Sequence, residues 1–143
     1  MTEGLISANY LPLSNDDANP WIQLYKKVNA AHNGNAEFDN NIVYGMSVGY
    51  LFVQSLQKAG KDLTRDGLIK TIEKGGFQGP GHAPLRFSAD DHSGYGGMRL
   101  SKVSGGKQTY FGTPFETDEN DGPVQEYTTP PAAPPANGIP AAS

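Results

Sequence analysis

The sequence predicts an α/β fold in which one strand leads into three helices, followed by a β-hairpin. Residues 4–11 read as a short strand that ends at Pro12. Three later segments carry helix-start and helix-stop residues: 20–34, 41–59 and 64–74. Residues 98–111 then alternate around Ser104-Gly105-Gly106, a sequence typical of a tight turn between paired strands. This change of periodicity indicates that the helices and the hairpin form different parts of the fold.

The first helix has clear boundaries. Asn19 can accept a hydrogen bond from an early backbone N–H, and Pro20 occupies the first turn, where a missing donor costs nothing. Gly34 is expected to end the helix. Its apolar residues repeat at helical spacing on one face: Trp21, Leu24, Tyr25, Val28 and Ala31.

The second and third helices differ in polarity. Residues 41–59 are apolar nearly all round, which predicts that this helix is covered on more than one side. Gly45 and Gly49 would let another backbone approach it closely. The third helix is short, with Thr64 as its N-cap and Leu63 able to pack on Leu68.

The remaining predictions concern a short strand, a bulge in the hairpin and the C-terminal tail. Residues 85–87 read as a short strand, and Val103 breaks the alternation of the hairpin, so we expect a bulge there. Beyond residue 115 the sequence becomes acidic and then rich in Pro and Ala, and such segments bury too little apolar surface to offset their ordering entropy. We therefore predict one domain over residues 1–115 and a disordered tail over 116–143.

Composition excludes several function classes. The net charge is −4 without a basic run, so nucleic-acid binding is not expected. The absence of cysteine excludes disulfides and thiolate zinc sites. The apolar run over residues 42–56 is interrupted by polar and glycine residues and is too short to span a bilayer. With 36% hydrophobic residues, the chain can form a single modest core.

Several motifs in a fixed order resemble a known receptor family. Over residues 4–112 they are Asp16-Asp17-Ala18-Asn19, the helix from Tyr44 to Leu56-Gln57-Lys58-Ala59-Gly60, Phe77-Gln78-Gly79, Pro84-Leu85-Arg86-Phe87, Asp90-Asp91-His92 and the last hairpin. In this order they resemble the C-terminal part of the type I periplasmic or extracellular solute-binding proteins of ABC transporters. The similarity is to the branched-chain amino acid-binding family, also described as Leu/Ile/Val-binding-protein-like.

The resemblance implies a fold and a role. The fold would be a partial three-layer, Rossmann-like lobe of a type I periplasmic-binding-protein fold plus a C-terminal β-hairpin, with the three helices in the N-terminal lobe. The role would be to bind a small molecule, an amino acid or amide-like compound, and to present it to ABC transporter membrane subunits. Such receptors act at the periplasmic or extracellular face of the cell without cofactor, metal or catalysis. The chain opens Met1-Thr2-Glu3 without a secretion signal, so the resemblance implies a fragment.

Three residues are candidate ligand contacts. By the resemblance, Tyr44 at the start of the apolar helix and Asn9 and Tyr10 after the first strand lie at the rim of the ligand cleft. Tyrosine suits a cleft because it combines an apolar ring with a hydrogen-bonding hydroxyl. The alternative for Tyr44 is core packing, the usual role of an aromatic residue on a buried helix, and for Tyr10 this alternative is stronger. Residues that hold the ligand's charged groups in this family lie earlier in the chain.

Two other function classes remain open. Gly45-Met46-Ser47-Val48-Gly49 matches the G-x-S-x-G nucleophile elbow of serine hydrolases, for which Asp90 or Asp91 with His92 would have to supply acid and base. A ligand-sensing regulator with the same two lobes is the third class. The three histidines are scattered through the sequence, which disfavours a histidine metal site, and Asp90-Asp91-His92 is expected to form hydrogen bonds within its own turn.

Overall fold

The computed structural model describes residues 2–34, 36–61, 63–117 and 122–141. Its helices and strands follow one another in this order: β1 (Ile6–Asn9), α1 (Pro20–His32), α2 (Asn40–Ala59), α3 (Arg65–Glu73), β2 (Leu85–Arg86), β3 (Gly94–Tyr95), β4 (Gly97–Ser104), β5 (Lys107–Tyr110), β6 (Phe115–Glu116) and β7 (Gln125–Glu126). The predicted α/β class and the order of its segments are confirmed.

Strand β4 is the centre of the main sheet. Both β1 and β5 pair with it in the antiparallel sense, with Ile6 opposite Lys102 in the first pair and Ser101 opposite Tyr110 in the second. The other end of β4 pairs with β6, which pairs with β7. Strands β2 and β3 form a separate two-stranded sheet. The first strand of the chain therefore lies beside the β4–β5 hairpin.

Each helix begins directly after its capping residue. The Asn19 Oδ1 accepts a hydrogen bond from the Trp21 N–H at 2.9 Å, and the Thr64 Oγ1 accepts one from the Gly67 N–H at 3.0 Å, as predicted. Helix α2 begins one residue earlier than expected because Asp39 caps it through the Ile42 N–H. Helix α1 ends at His32, two residues before Gly34.

The hairpin keeps a regular register. Gly105 and Gly106 both have positive φ, 58° and 75°, which fits a two-residue type I′ turn, and Ser104 pairs directly with Lys107. The bulge expected at Val103 is wrong, because Val103 pairs with Gln108 in register. Val103 is buried because it lies on the same face of β4 as Ser101, two residues away.

The main core lies between α1 and α2. Its buried members are Trp21, Ile22, Tyr25, Val43 and Tyr50. The Trp21 and Tyr50 rings meet edge to face with centroids 4.8 Å apart, a favoured aromatic geometry. This core uses Trp21 and Tyr25 of the predicted apolar face of α1, and one side of α2. Ile22, which is fully buried, was not part of the predicted face, and Val28, which was, is exposed.

The opposite side of α2 is exposed. Tyr44, Val48 and Phe52 follow one another at four-residue spacing and are 54%, 50% and 58% exposed. The described chain therefore covers only one side of this helix, whereas its apolar sequence predicted cover on more than one side. We refer to Tyr44, Val48 and Phe52 as the exposed α2 stripe.

We expect the isolated chain to self-associate or to behave as a molten state, because the exposed α2 stripe is a contiguous apolar surface. Light scattering behind size-exclusion chromatography should show a mass that rises with concentration. Phe52→Glu, which places a charge in the stripe, should lower that mass, and Lys27→Glu on the exposed side of α1 is the control. A monodisperse monomer with a sharp two-state melt would contradict this expectation.

The described residues beyond 115 contact the rest of the chain. The Tyr127 N–H donates to the Pro114 carbonyl at 2.8 Å, and the Trp21 Nε1–H donates to the Ala132 carbonyl at 2.7 Å. Pro140 is buried beside the α1–α2 pair. The division into residues 1–115 and a disordered tail of 116–143 stays a prediction, and residues 118–121 and 142–143 of that tail lie outside the described residues.

Within the described part of the chain, no helix combines the length and apolar character needed to cross a membrane.

Candidate ligand cleft

A small cleft lies where the end of β1 meets the start of α2. Its volume is about 160 Å³. It is lined by Ala8, Asn9, Tyr10, Leu11, Pro12, Leu13, Asn40, Val43 and Tyr44. The three residues predicted from the sequence, Asn9, Tyr10 and Tyr44, thus border one cavity although more than thirty residues separate Tyr10 from Tyr44. Complete small-molecule pockets usually enclose roughly 300 Å³ or more, so this volume suits part of a site.

The loop after β1 is fixed to the first turn of α2. The Ser14 N–H donates to the Asn40 Oδ1 at 2.8 Å, which ties the loop to the helix. Pro12 and Leu13 are buried, and Val43 is 1% exposed on the core side of α2. The cleft therefore has a packed floor.

Tyr44 lies next to that floor, on the exposed side of α2. It follows Val43 on the helix, and the turn of about 100° per residue carries its ring away from the core. Its side chain is more than half exposed. Core packing, the alternative role considered for Tyr44, is thus not its environment in the described chain.

Tyr10 is held through both ring and backbone. Its ring lies 5.4 Å from the Tyr95 ring, tilted by 31°, and 42% of the residue is exposed. Its carbonyl accepts a hydrogen bond from the His82 N–H at 3.0 Å. Tyr10, a lining residue of the cleft, is therefore fixed at both its ring and its backbone.

Asn9 borders the cleft but directs its amide to the sheet. The Asn9 Nδ2 donates to the Ser101 Oγ at 2.6 Å, and the Oδ1 accepts from the Gln108 Nε2 at 3.5 Å. The Gln108 Nε2 also donates to the Ser7 Oγ at 2.7 Å. The alternation of Ser7 and Asn9 in the sequence shows that they share a strand face, but their partners depend on the register of β1, β4 and β5.

His82, like the cross-strand partners of Asn9, is a feature near the cleft that the sequence did not predict. It is buried, and its Nε2 lies 2.9 Å from the Tyr110 hydroxyl. Burial, together with the nearby Arg99 charge, lowers the pKa of His82 to about 4. The Tyr110 hydroxyl donates to the Leu11 carbonyl at 3.0 Å, and burial raises the pKa of this hydroxyl. His82 is therefore neutral near pH 7 and supports a residue that lines the cleft.

The serine of the G-x-S-x-G motif lies buried in a helix interior. Ser47 lies inside α2, which runs without a break from Asn40, so no strand-to-helix turn presents it. It is 2% exposed, and its hydroxyl donates to the Val43 carbonyl at 2.6 Å, four residues earlier. The nucleophile-elbow interpretation is wrong because a helix interior explains both the serine and its glycines.

The Asp90-Asp91-His92 turn is held by its own hydrogen bonds. The Asp91 Oδ1 accepts from the Ser93 N–H at 2.8 Å, and such bonds lower the pKa of Asp91. The His92 Nε2 lies 3.3 Å from Glu73 Oε1 on α3. Within the described ranges, no three His, Asp or Glu side chains are grouped as a metal site.

Comparison with known proteins places the fold. No family model matches the sequence, and no curated protein matches it. A crystal structure of a branched chain amino acid ABC transporter from Thermus thermophilus, with bound valine, is similar to 81% of this chain with a TM-score of 0.62 and 19% identity. This chain covers 34% of that structure, about a third of its length.

The class of fold follows from this likeness. The chain has a partial type I periplasmic-binding-protein fold, as the order of its sequence motifs implied. At 19% identity the similarity extends to the fold alone.

Proposed function

We propose that this chain is part of a receptor that binds a branched-chain amino acid or a related small molecule for an ABC importer. The observation that carries the proposal is the convergence of Asn9, Tyr10 and Tyr44 on one cleft in a chain of this fold. The receptor would work at the periplasmic or extracellular face of the cell. Its partners would be the ligand and the membrane subunits of the importer.

The lining of the cleft supports an aliphatic ligand. Ala8 and Leu11 provide apolar surface above a floor of Leu13 and Val43, and this apolar lining matches the side chain of a branched amino acid. The Tyr10 and Tyr44 hydroxyls would add hydrogen bonds at the rim. The charged groups of the ligand would be held by parts of the receptor outside this chain.

The proposed action is closure of two lobes without a chemical step. A ligand that contacts both lobes binds the closed form more tightly than the open form and so increases the closed population. The helices would belong to one lobe and the β4–β5 hairpin to the other. Strand β1, which pairs with β4 and leads into the helices, would lie at the crossover between them.

Tyr44→Ala tests the ligand role of the cleft. In the receptor that contains this chain, we expect the affinity for L-valine to fall roughly tenfold or more, as for a truncated aromatic contact. The ligand-free melting temperature should change little, because the Tyr44 ring is more than half exposed. Calorimetric titration beside a thermal melt measures both quantities.

Phe52→Ala is the matched control, since Phe52 is an equally exposed aromatic residue two helical turns away from Tyr44. Its affinity for L-valine should equal that of the unmodified receptor. Unchanged affinity in Tyr44→Ala, with a large drop in melting temperature, would refute the ligand role.

The proposed receptor catalyses no reaction. Covalent labelling of Ser47 by a fluorophosphonate would refute this part of the proposal.

A further inference from the structure

Four polar side chains on three strands form a hydrogen-bonded network beside the cleft. Ser101 on β4 is its centre and is fully buried. Its hydroxyl contacts Ser7 and Asn9 on β1 at 3.1 and 2.6 Å, and Gln108 on β5 at 2.7 Å. Buried polar groups are stable only when their hydrogen bonds are formed, so this network holds each member in one orientation.

A second contact between β5 and the segment after β1 lies two residues further along both segments. Tyr110 follows Gln108 by two residues and therefore lies on the same face of β5. Its hydroxyl donates to the carbonyl of Leu11, which follows Asn9 by two residues. The Tyr110 ring is stacked under Arg99, with the guanidinium 4.9 Å from its centroid, and His82 contacts its hydroxyl.

These contacts hold the rim of the cleft from behind. Gln108 reaches the Asn9 side chain, the His82 N–H binds the Tyr10 carbonyl, and Tyr110 binds the Leu11 carbonyl. Residues 9–11 line the cleft, whereas Gln108, His82 and Tyr110 do not. Each of these three lining residues is therefore held by a group outside the cleft. Because successive strand residues face opposite sides, fixing Asn9 also fixes the neighbouring Ala8 and Tyr10.

We propose that Gln108 and Tyr110 are positioning residues for the cleft, through which the hairpin sets the geometry of residues 9–11. The consequence for ligand affinity rests on the proposed function. The consequence for rim geometry does not, because the contacts exist without a ligand. Hairpin and rim would therefore move as one unit during lobe closure.

Tyr110→Phe and Gln108→Met remove the hydrogen-bonding groups while keeping most of the side-chain volume. Thr109→Val is the control, since Thr109 lies between them on the opposite face of β5 and is exposed. In the ligand-free receptor that contains this chain, Tyr110→Phe should raise hydrogen exchange at the His82 amide roughly fivefold, the effect of losing one net hydrogen bond. The nuclear Overhauser contact between the Tyr10 and Tyr95 rings should weaken in both variants, and exchange in α2 should stay constant.

The affinity of the receptor for L-valine supplies the second readout, and both variants should lower it roughly fivefold while Thr109→Val leaves it unchanged. Unchanged His82 exchange and unchanged Tyr10–Tyr95 contact would overturn the positioning role. So would unchanged valine affinity in both variants when Tyr44→Ala weakens binding. If the unmodified receptor fails to bind valine, the proposed ligand is refuted, and the ligand-free measurements still decide the positioning role.

Discussion

Trp21→Ala is expected to lower the free energy of unfolding by about 3–5 kcal/mol, the usual range for a buried tryptophan reduced to alanine. Trp21 is 1% exposed, and its ring packs against Tyr50 and Tyr25. Its Nε1–H donates to the Ala132 carbonyl, so truncation leaves that carbonyl without this partner. The free energy of unfolding of a small domain is about 5–15 kcal/mol in total, so this loss would remove a large part of the stability.

Urea unfolding of the receptor that contains this chain measures this loss. Phe52→Ala removes another aromatic ring from an exposed position, and it should change stability by about 0.5 kcal/mol or less. Trp21→Phe separates packing from hydrogen bonding, because it keeps most of the ring contact and should cost about 1–2 kcal/mol. Equal unfolding midpoints for Trp21→Ala and Phe52→Ala would contradict the described core.

Acid is expected to destabilise the chain through His82. The pKa of His82 is about 4 in the folded chain, against an ordinary value of 6.5. Between these two pH values the unfolded chain binds a proton that the folded chain does not, so the free energy of unfolding decreases as pH falls. His82 therefore contributes fully above about pH 6.5, and its contribution is lost by about pH 4. Allowing for solvent screening, the loss is on the order of 2 kcal/mol.

Urea unfolding of the receptor that contains this chain, at a series of pH values between 4 and 7, measures this effect, with the window set by the folded and ordinary pKa of His82. His82→Gln removes the titrating group and should make the dependence on pH shallower than in the unmodified chain. His32→Gln makes the same change at an exposed position on the last turn of α1 and should retain the original slope. Equal slopes for all three proteins would show that His82 is not held neutral by its surroundings.

Much of the fold could be predicted because its helix boundaries depend on local chemistry. Asn19 and Thr64 cap their helices through bonds to N–H groups two or three residues away, and Gly105 and Gly106 allow the tight turn. The positions of α1, α3 and the hairpin follow from these residues. The bulge expected at Val103 was wrong because burial at that position is set by the register with β5, a non-local property.

The candidate site was predictable only in part. The resemblance to receptors selected Asn9, Tyr10 and Tyr44, and the structure brings all three to one cleft. The supporting residues Ser101, Gln108, Tyr110 and His82 escaped prediction because they act across strands and loops far apart in sequence. The hydrolase alternative built on Ser47 stayed open at the sequence level because a short motif carries no information on whether it lies in a helix or a turn.

The most direct measurement of the central claim is a titration of the receptor, labelled with ¹³C at tyrosine, with L-valine. If the ligand occupies the cleft, the ring resonances of Tyr44 and Tyr10, which border it, should shift in parallel and saturate together. The buried rings of Tyr25 and Tyr50 in the α1–α2 core serve as internal controls and should shift least. Saturating binding of valine that leaves the Tyr44 and Tyr10 resonances in place would contradict the account.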